Sequence, residues 1–231
     1  MAAEITIMSG GAPKEVLATL IPQFETRTGH RVKVTYAVIA ALQQKLQAEE
    51  SADAVLMPTS AIADLAKAGK LKSEGSAAFG TVRLVAIVRA GAPHVDISTQ
   101  DAFRNALLAA RAIVYSSTAT PSGAHMARVV ERLQIAEAIK QKVAYRPALE
   151  GGVELVASGD ADIGIYPSSE VVHVRGVSPL GPLPDALQLD LVYAGAVTTG
   201  NADPEPALDF LKFLRQPENK KVWKEAGFEP S

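Results

Sequence analysis

Segments with the period of a strand alternate with segments with the period of a helix from the start of this chain. That alternation restricts the fold more than any other feature. Ile5 and Ile7 stand two apart, as do Val32, Val34 and Tyr36, the spacing of a strand with one buried face. Between them Val16, Leu17, Leu20, Ile21 and Phe24 recur at three- and four-residue spacing, an apolar helical stripe. Pro13 suits the first turn of that helix and Thr28-Gly29 its end. Strand, helix and strand in this order form a βαβ unit, which closes as a right-handed parallel crossover. The alternation continues with a helix over 40–48, a buried strand over 53–57, a helix over 60–68 stopped by Gly69, and a strand over 84–88.

The pattern restarts after Gly91-Ala92-Pro93. Ser98 is placed to cap a helix running to 108, followed by a strand over 113–115 and a hydroxyl-rich loop over 116–123. Helices over 122–133 and 136–142, a strand at 144–145, a helix over 151–158 and a strand over 163–166 come next. Residues 178–184 are rich in proline and glycine and predict a loop. A long strand over 189–197 and helices over 204–214 and 217–226 close the chain. This order predicts an α/β fold. The two halves read as two α/β lobes joined by two crossing strands, 84–88 and 189–196, with a ligand cleft between them. Lobe 1 is expected over 1–83 and 196–231, and lobe 2 over 84–195. One continuous sheet is the simpler alternative that pattern alone leaves open.

Composition narrows the function. The 231 residues carry a formal net charge of −2, with no block of lysine and arginine, so no nucleic-acid partner is expected. The longest apolar runs are too short to span a bilayer. Cysteine is absent, which removes disulfides, thiol catalysis and thiolate zinc sites. Met1-Ala2-Ala3-Glu4 leads directly into the first strand without a charged and an apolar leader segment. The expectation is an exported protein whose leader is missing from this chain, with Met1 in its place.

One stretch points toward binding rather than catalysis. Thr120-Pro121-Ser122-Gly123 opens a helix, and a later helix stops at Gly159 before Asp160-Ala161-Asp162 and an apolar strand. Such a unit presents loop backbone at a cleft and offers no reactive side chain. An ordered set of segments then resembles the periplasmic solute-binding proteins of ABC importers, nearest to the molybdate-binding type. They are Ile5-Thr6-Ile7-Met8-Ser9-Gly10-Gly11-Ala12, Phe24-Glu25-Thr26-Arg27-Thr28-Gly29 and Val32-Lys33-Val34. Ala52-Asp53-Ala54-Val55-Leu56 and Arg83-Leu84-Val85-Ala86-Ile87-Val88 follow, with residues 156–164. The C-terminal Phe210-Leu211-Lys212-Phe213-Leu214, Pro217-Glu218 and Gly227-Phe228-Glu229-Pro230 complete the set. The resemblance runs nearly end to end and implies the two-lobed type II solute-binding fold.

It also implies a site for a small anion, held by serine and tyrosine hydroxyls and by N–H groups at helix starts, where the helix dipole is positive. The chain departs from the family there. The family's first serine falls on Ala12, its second on Ile39, its loop alanine on Ser122, its backbone-donor valine on Leu149 and its tyrosine on Pro167, beside Tyr166. Two hydroxyls are missing and a third is displaced. A buried dianion short of donors costs several kcal/mol. Ser9, Ser122, Tyr166 and the N–H groups of Gly10, Gly11 and Ala12 are the expected compensation. Ile39 adds apolar surface, so a small organic carboxylate resting its carbon body there fits at least as well as molybdate.

The same motifs and the scattered titratable residues offer no further chemistry. Ser9-Gly10-Gly11-Ala12-Pro13 lacks the spacing of a phosphate-binding loop. The hydroxyls of 116–122 serve capping as well as any ligand. His30, His94, His125 and His173 are scattered without metal spacing, and His125, beside the 122–123 loop, is the one placed near the site. Asp160 and Asp162 read as turn formers, and no nucleophile elbow is present. The expected function is therefore a periplasmic, non-enzymatic, monomeric solute-binding component of an ABC transporter. It would bind a small anion, need no cofactor or metal, and meet a membrane permease. The alternatives are an enzyme or a cytosolic ligand-sensing domain on the same scaffold.

Overall fold

The computed structural model describes residues 2–72 and 76–231; Met1, expected to replace a leader, lies outside them. In chain order the first elements are β1 (Glu4–Ser9), α1 (Lys14–Thr28), β2 (Arg31–Tyr36), α2 (Ile39–Gln47), β3 (Ala54–Pro58), α3 (Thr59–Lys67) and β4 (Ala77–Arg89). Next come α4 (Gln100–Ala109), β5 (Ile113–Tyr115), α5 (Pro121–Arg132), α6 (Ala136–Ile139), β6 (Val143–Tyr145), α7 (Gly152–Ser158), β7 (Ile163–Pro167) and β8 (Val177–Pro182). The last are β9 (Asp190–Val197), α8 (Glu205–Leu214), α9 (Lys220–Glu225) and β10 (Glu229–Pro230). The α/β class holds. No helix among the described residues is long and apolar enough to cross a membrane.

The chain divides into two compact units, Met1–Val82 with Leu191–Ser231, and Arg83–Asp190. It leaves the first unit inside β4 and returns at the start of β9, earlier than the expected 195/196 boundary. In the first unit β1 pairs in parallel with β2 and β3, β9 runs antiparallel to β3, and β10 pairs with the opening residues of β4. The α1 stripe forms as its spacing requires: Val16, Leu17, Leu20 and Phe24 are buried, and Phe24 meets the Phe210 and Phe213 rings of α8. Leu42, Leu46, Ile62 and Leu65 of α2 and α3 share a core with Met8, Val55 and Ala194.

In the second unit β5 pairs in parallel with β6 and β7, and β7 runs antiparallel to β4. One face of this sheet is covered by Phe103, Leu107, Met126 and Val129 of α4 and α5. On the other face Val153 and Val156 of α7 pack against Ile87 and Val114. Residues 178–184 correct the sequence reading: most of the predicted loop is β8, antiparallel to β4 with a register shift between Ala86 and Ile87. Proline is admitted because a bulged edge strand leaves some N–H positions without a ladder partner. β4 also begins earlier than expected, at Ala77, because alanine, glycine and threonine conceal its strand period.

Candidate functional site

In parallel α/β sheets the carboxyl ends of the strands feed the N-termini of the following helices, so loops and free N–H groups gather at that edge. In the first unit β1, β2 and β3 run into α1, α2 and α3 at such an edge. The residues preceding these helices are Pro13, Val38 and Pro58, and none makes a side-chain cap. Helix α4 contrasts with them: Thr99 accepts from the Ala102 N–H there.

Around Ser9-Gly10-Gly11-Ala12 the polar groups are divided between structure and opening. Ser9 is fully buried and its Oγ donates to Gly10 O at 2.9 Å, while Gly10 N–H donates to Leu56 O of β3 at 3.1 Å. Those two expected donors are thus spent inside the fold. The Gly11 and Ala12 N–H groups make no backbone hydrogen bond among the described residues. Ile39, the first residue of α2, is buried; its Cδ1 stands 2.8 Å from where a Gly10 Cβ would lie, and Tyr193 Oη 3.4 Å from it. A β-carbon at position 10 would push the Ile39 methyl aside and touch the Tyr193 phenol, so this apolar methyl and this phenol lie directly over the loop. Tyr193 escaped the sequence reading. Its signal was a single tyrosine, buried, in a strand whose residues after Asp190 are otherwise Leu, Val, Ala and Gly. Tyr36, at the end of β2, has its phenol pushed up to about 12 by burial and by the nearby Glu15 carboxylate.

The second unit repeats the arrangement. Loop 116–120 links β5 to α5, where Thr120 Oγ1 accepts from Gly123 N–H at 3.0 Å and lies 3.2 Å from Ser122 Oγ. Ser122 is buried in the first turn of α5. Leu149 is exposed, and its N–H makes no backbone hydrogen bond among the described residues. Tyr166 is fully buried, and its Oη donates to Arg146 O at 2.8 Å. Its phenol proton therefore holds the segment that leads to Leu149. Burial, then the Glu170 and Glu154 carboxylates, push Tyr166 above its ordinary range. Pro167 ends β7 and supplies neither an N–H nor a polar side chain. Beyond it Ser169 Oγ is buried without a hydrogen-bond partner among the described residues, and burial pushes the Glu170 carboxyl up to about 7.

The remaining candidates are engaged by neighbours within the second unit. His125 Nε2 lies 2.8 Å from Leu187 O. Asp162 holds Arg111 through both carboxylate oxygens, and this pairing lowers its pKa. Asp160 accepts from Ser158 Oγ at 2.7 Å. Among the described residues no group of three or more histidines and carboxylates is placed to hold a metal. Ser9, Gly10, Gly11, Ala12 and Ile39 come together in the first unit, and Ser122, Leu149, Tyr166 and Pro167 lie at or just beyond the carboxyl ends of β5, β6 and β7 in the second.

The α/β scaffold agrees with comparison to known proteins. Residues 5–229 match the bacterial extracellular solute-binding proteins. The chain belongs to that family. An aconitate isomerase from a Pseudomonas species is 30% identical over 98% of this chain and 87% of that protein. The molybdate-binding protein ModA of Escherichia coli K12 is 22% identical over 97% of this chain and 88% of its own. The periplasmic molybdate-binding protein of Azotobacter vinelandii superposes with a TM-score of 0.82 at 17% identity, covering 97% of this chain and 98% of that one. The solute-binding family and its ModA-like architecture thus extend over nearly the whole chain.

Proposed function

We propose that this protein is the extracytoplasmic solute-binding component of an ABC transporter, and that its ligand is a small organic polycarboxylate. The observation that carries this reading is the replacement of polar by apolar groups at the edge of the first unit. By its resemblance to the molybdate-binding type, the chain carries Ala12 and Ile39 where that type is expected to have serines, and the Ser9 and Gly10 donors are spent internally. The donors left open are backbone N–H groups at the starts of uncapped helices, which suit a carboxylate without a full countercharge. Ile39 sets a largely buried apolar side chain beside Gly10, an environment that suits a carbon body better than a tetrahedral oxyanion. The 30% identity to a protein named for aconitate, a tricarboxylate, supports the same class.

In this role the ligand leaves chemically intact and is passed to a membrane permease. Isothermal titration with molybdate, sulfate, citrate and the two aconitates tests it. Saturable binding of a carboxylate and none of molybdate is expected; tight molybdate binding with no carboxylate binding overturns the reading.

A second reading has its own observation: the same relative is an isomerase. Isomerising such an acid requires a group that gives and takes a proton. Glu170, pushed up to about 7 by burial and placed just beyond β7, is the carboxyl suited to it. Proton NMR of cis-aconitate incubated with the protein decides between the two. An unchanged spectrum supports binding alone, and appearance of the trans isomer supports the enzyme.

A further inference from the structure

The second unit contains a hollow at the end of its sheet away from the loops described above. β5 and β7 are parallel, and their carboxyl ends lead into residues 116–120 and 168–170. The hollow, about 440 Å³ in volume, opens at their amino ends, beside Ala110, Arg111 and Ile163. That volume lies in the range of small-molecule sites. Its floor is apolar: Val88, Ala106, Ala110 and Ile163 are buried, with Ala92 and Val95 partly so. Alanines on α4 leave the space that larger side chains would fill.

Charge gives the hollow a sign. Arg111 and Asp162 neutralise each other in a two-pronged ion pair, with the closer contact at 2.6 Å. Arg89 also lines it, with its guanidinium Nη1 3.5 Å from where a Gly159 Cβ would lie. Among the described residues that guanidinium makes no side-chain hydrogen bond or ion pair. The C-terminal ends of α4 and α7 face this region and would favour a cation. Their carbonyls are largely answered, however: Ala106 O by Ala110 N–H, Leu108 O by Lys142 Nζ, Val156 O by Gly159 N–H and Leu155 O by Ala161 N–H. One positive charge remains over an apolar floor.

We propose that this hollow is a second binding site, for a small amphiphilic monoanion. A carboxylate would pair with Arg89 in the fork geometry that guanidinium favours, and a short aliphatic or aromatic body would cover the alanine floor. Such a site is independent of the ligand proposed above. Amide NMR of the full chain titrated with octanoate tests it, with octylamine as the cationic control. Saturable shifts are expected at Ala106, Ala110, Gly159 and Ile163, with octanoate favoured over octylamine. Arg89→Gln should weaken octanoate roughly tenfold or more, the loss of one charge-assisted pair, without altering the melting temperature. Ala106→Trp should abolish the shifts by filling the space; if it fails to fold, Arg89→Gln alone decides. No saturable shift, equal binding of octylamine, or undiminished binding by Arg89→Gln would overturn the proposal. So would an acidic peptide that shifts the same amides where octanoate does not, since the groove would then serve a protein partner.

Discussion

Tyr166 and Gly152 show how the candidate site depends on single atoms. A Cβ at position 152 would lie 2.2 Å from Tyr166 Oη and 2.4 Å from Arg146 O, so glycine is what lets the phenol reach that carbonyl. Tyr166→Phe is expected to destabilise the chain by about 1–2 kcal/mol, the cost of one buried hydrogen bond whose acceptor is left bare, measured by urea unfolding. Ligand affinity should fall with it, because the freed carbonyl lies on the segment presenting the Leu149 N–H. Unchanged stability would show that water replaces the phenol. The sequence displayed the hydroxyls of Ser9, Ser122 and Tyr166 but not where each proton goes. Ser9 bonds its neighbour's carbonyl and Tyr166 a carbonyl twenty positions away, and only the folded backbone sets those directions. Tyr193 was hidden for a related reason: its approach to Gly10 joins β9 to the loop after β1, segments far apart in sequence.

Elements were more legible than atoms, because hydrophobic period reports burial directly. The α1 stripe, the buried β3 and the αL glycines at 29 and 159 all read from local pattern. β8 did not, since Pro179, Gly181 and Pro182 argue locally for a loop and only pairing with β4 makes a strand of them. The same contrast between local and tertiary demands separates capped from uncapped helices. Thr120→Ala removes the oxygen that accepts from Gly123 N–H in α5 and should cost about 1 kcal/mol in thermal or urea unfolding. Val38 offers the opposite experiment. Its backbone at φ −65 and ψ 146 already suits a cap, so Val38→Asp should stabilise α2 by about 0.5–1 kcal/mol. The new carboxylate would occupy the N–H groups assigned to the ligand and repel an anion. A more stable protein with weaker carboxylate binding by calorimetry is the expected pair of results. Stabilisation with undiminished binding would remove the α2 start from the site.

At the scale of the whole molecule, stability should follow pH through a few displaced carboxyls. Glu170 is held up to about 7 in the folded chain against an ordinary glutamate value of 4.5, because burial penalises its charge. Between those values the folded chain holds a proton that the unfolded chain has released. Folding stability therefore falls as pH rises through that window, by at most about 3 kcal/mol. Asp162 acts in the opposite sense at lower pH. Hydrogen bonding to Arg111 holds it below the ordinary 3.8, so its contribution is present above that value and lost as acid protonates it. The two effects place the stability maximum between the ordinary aspartate and glutamate values, with a decline toward neutrality that a chain of ordinary carboxyls lacks. Urea unfolding at about pH 5 and about pH 8 measures that decline. Glu170→Gln carries no charge to bury, so it should unfold alike at both values and exceed the parent protein at the higher one. A parent protein with no decline, or a decline that survives Glu170→Gln, would mean that Glu170 ionises freely, and would remove the one displaced carboxyl on which the isomerase reading depends.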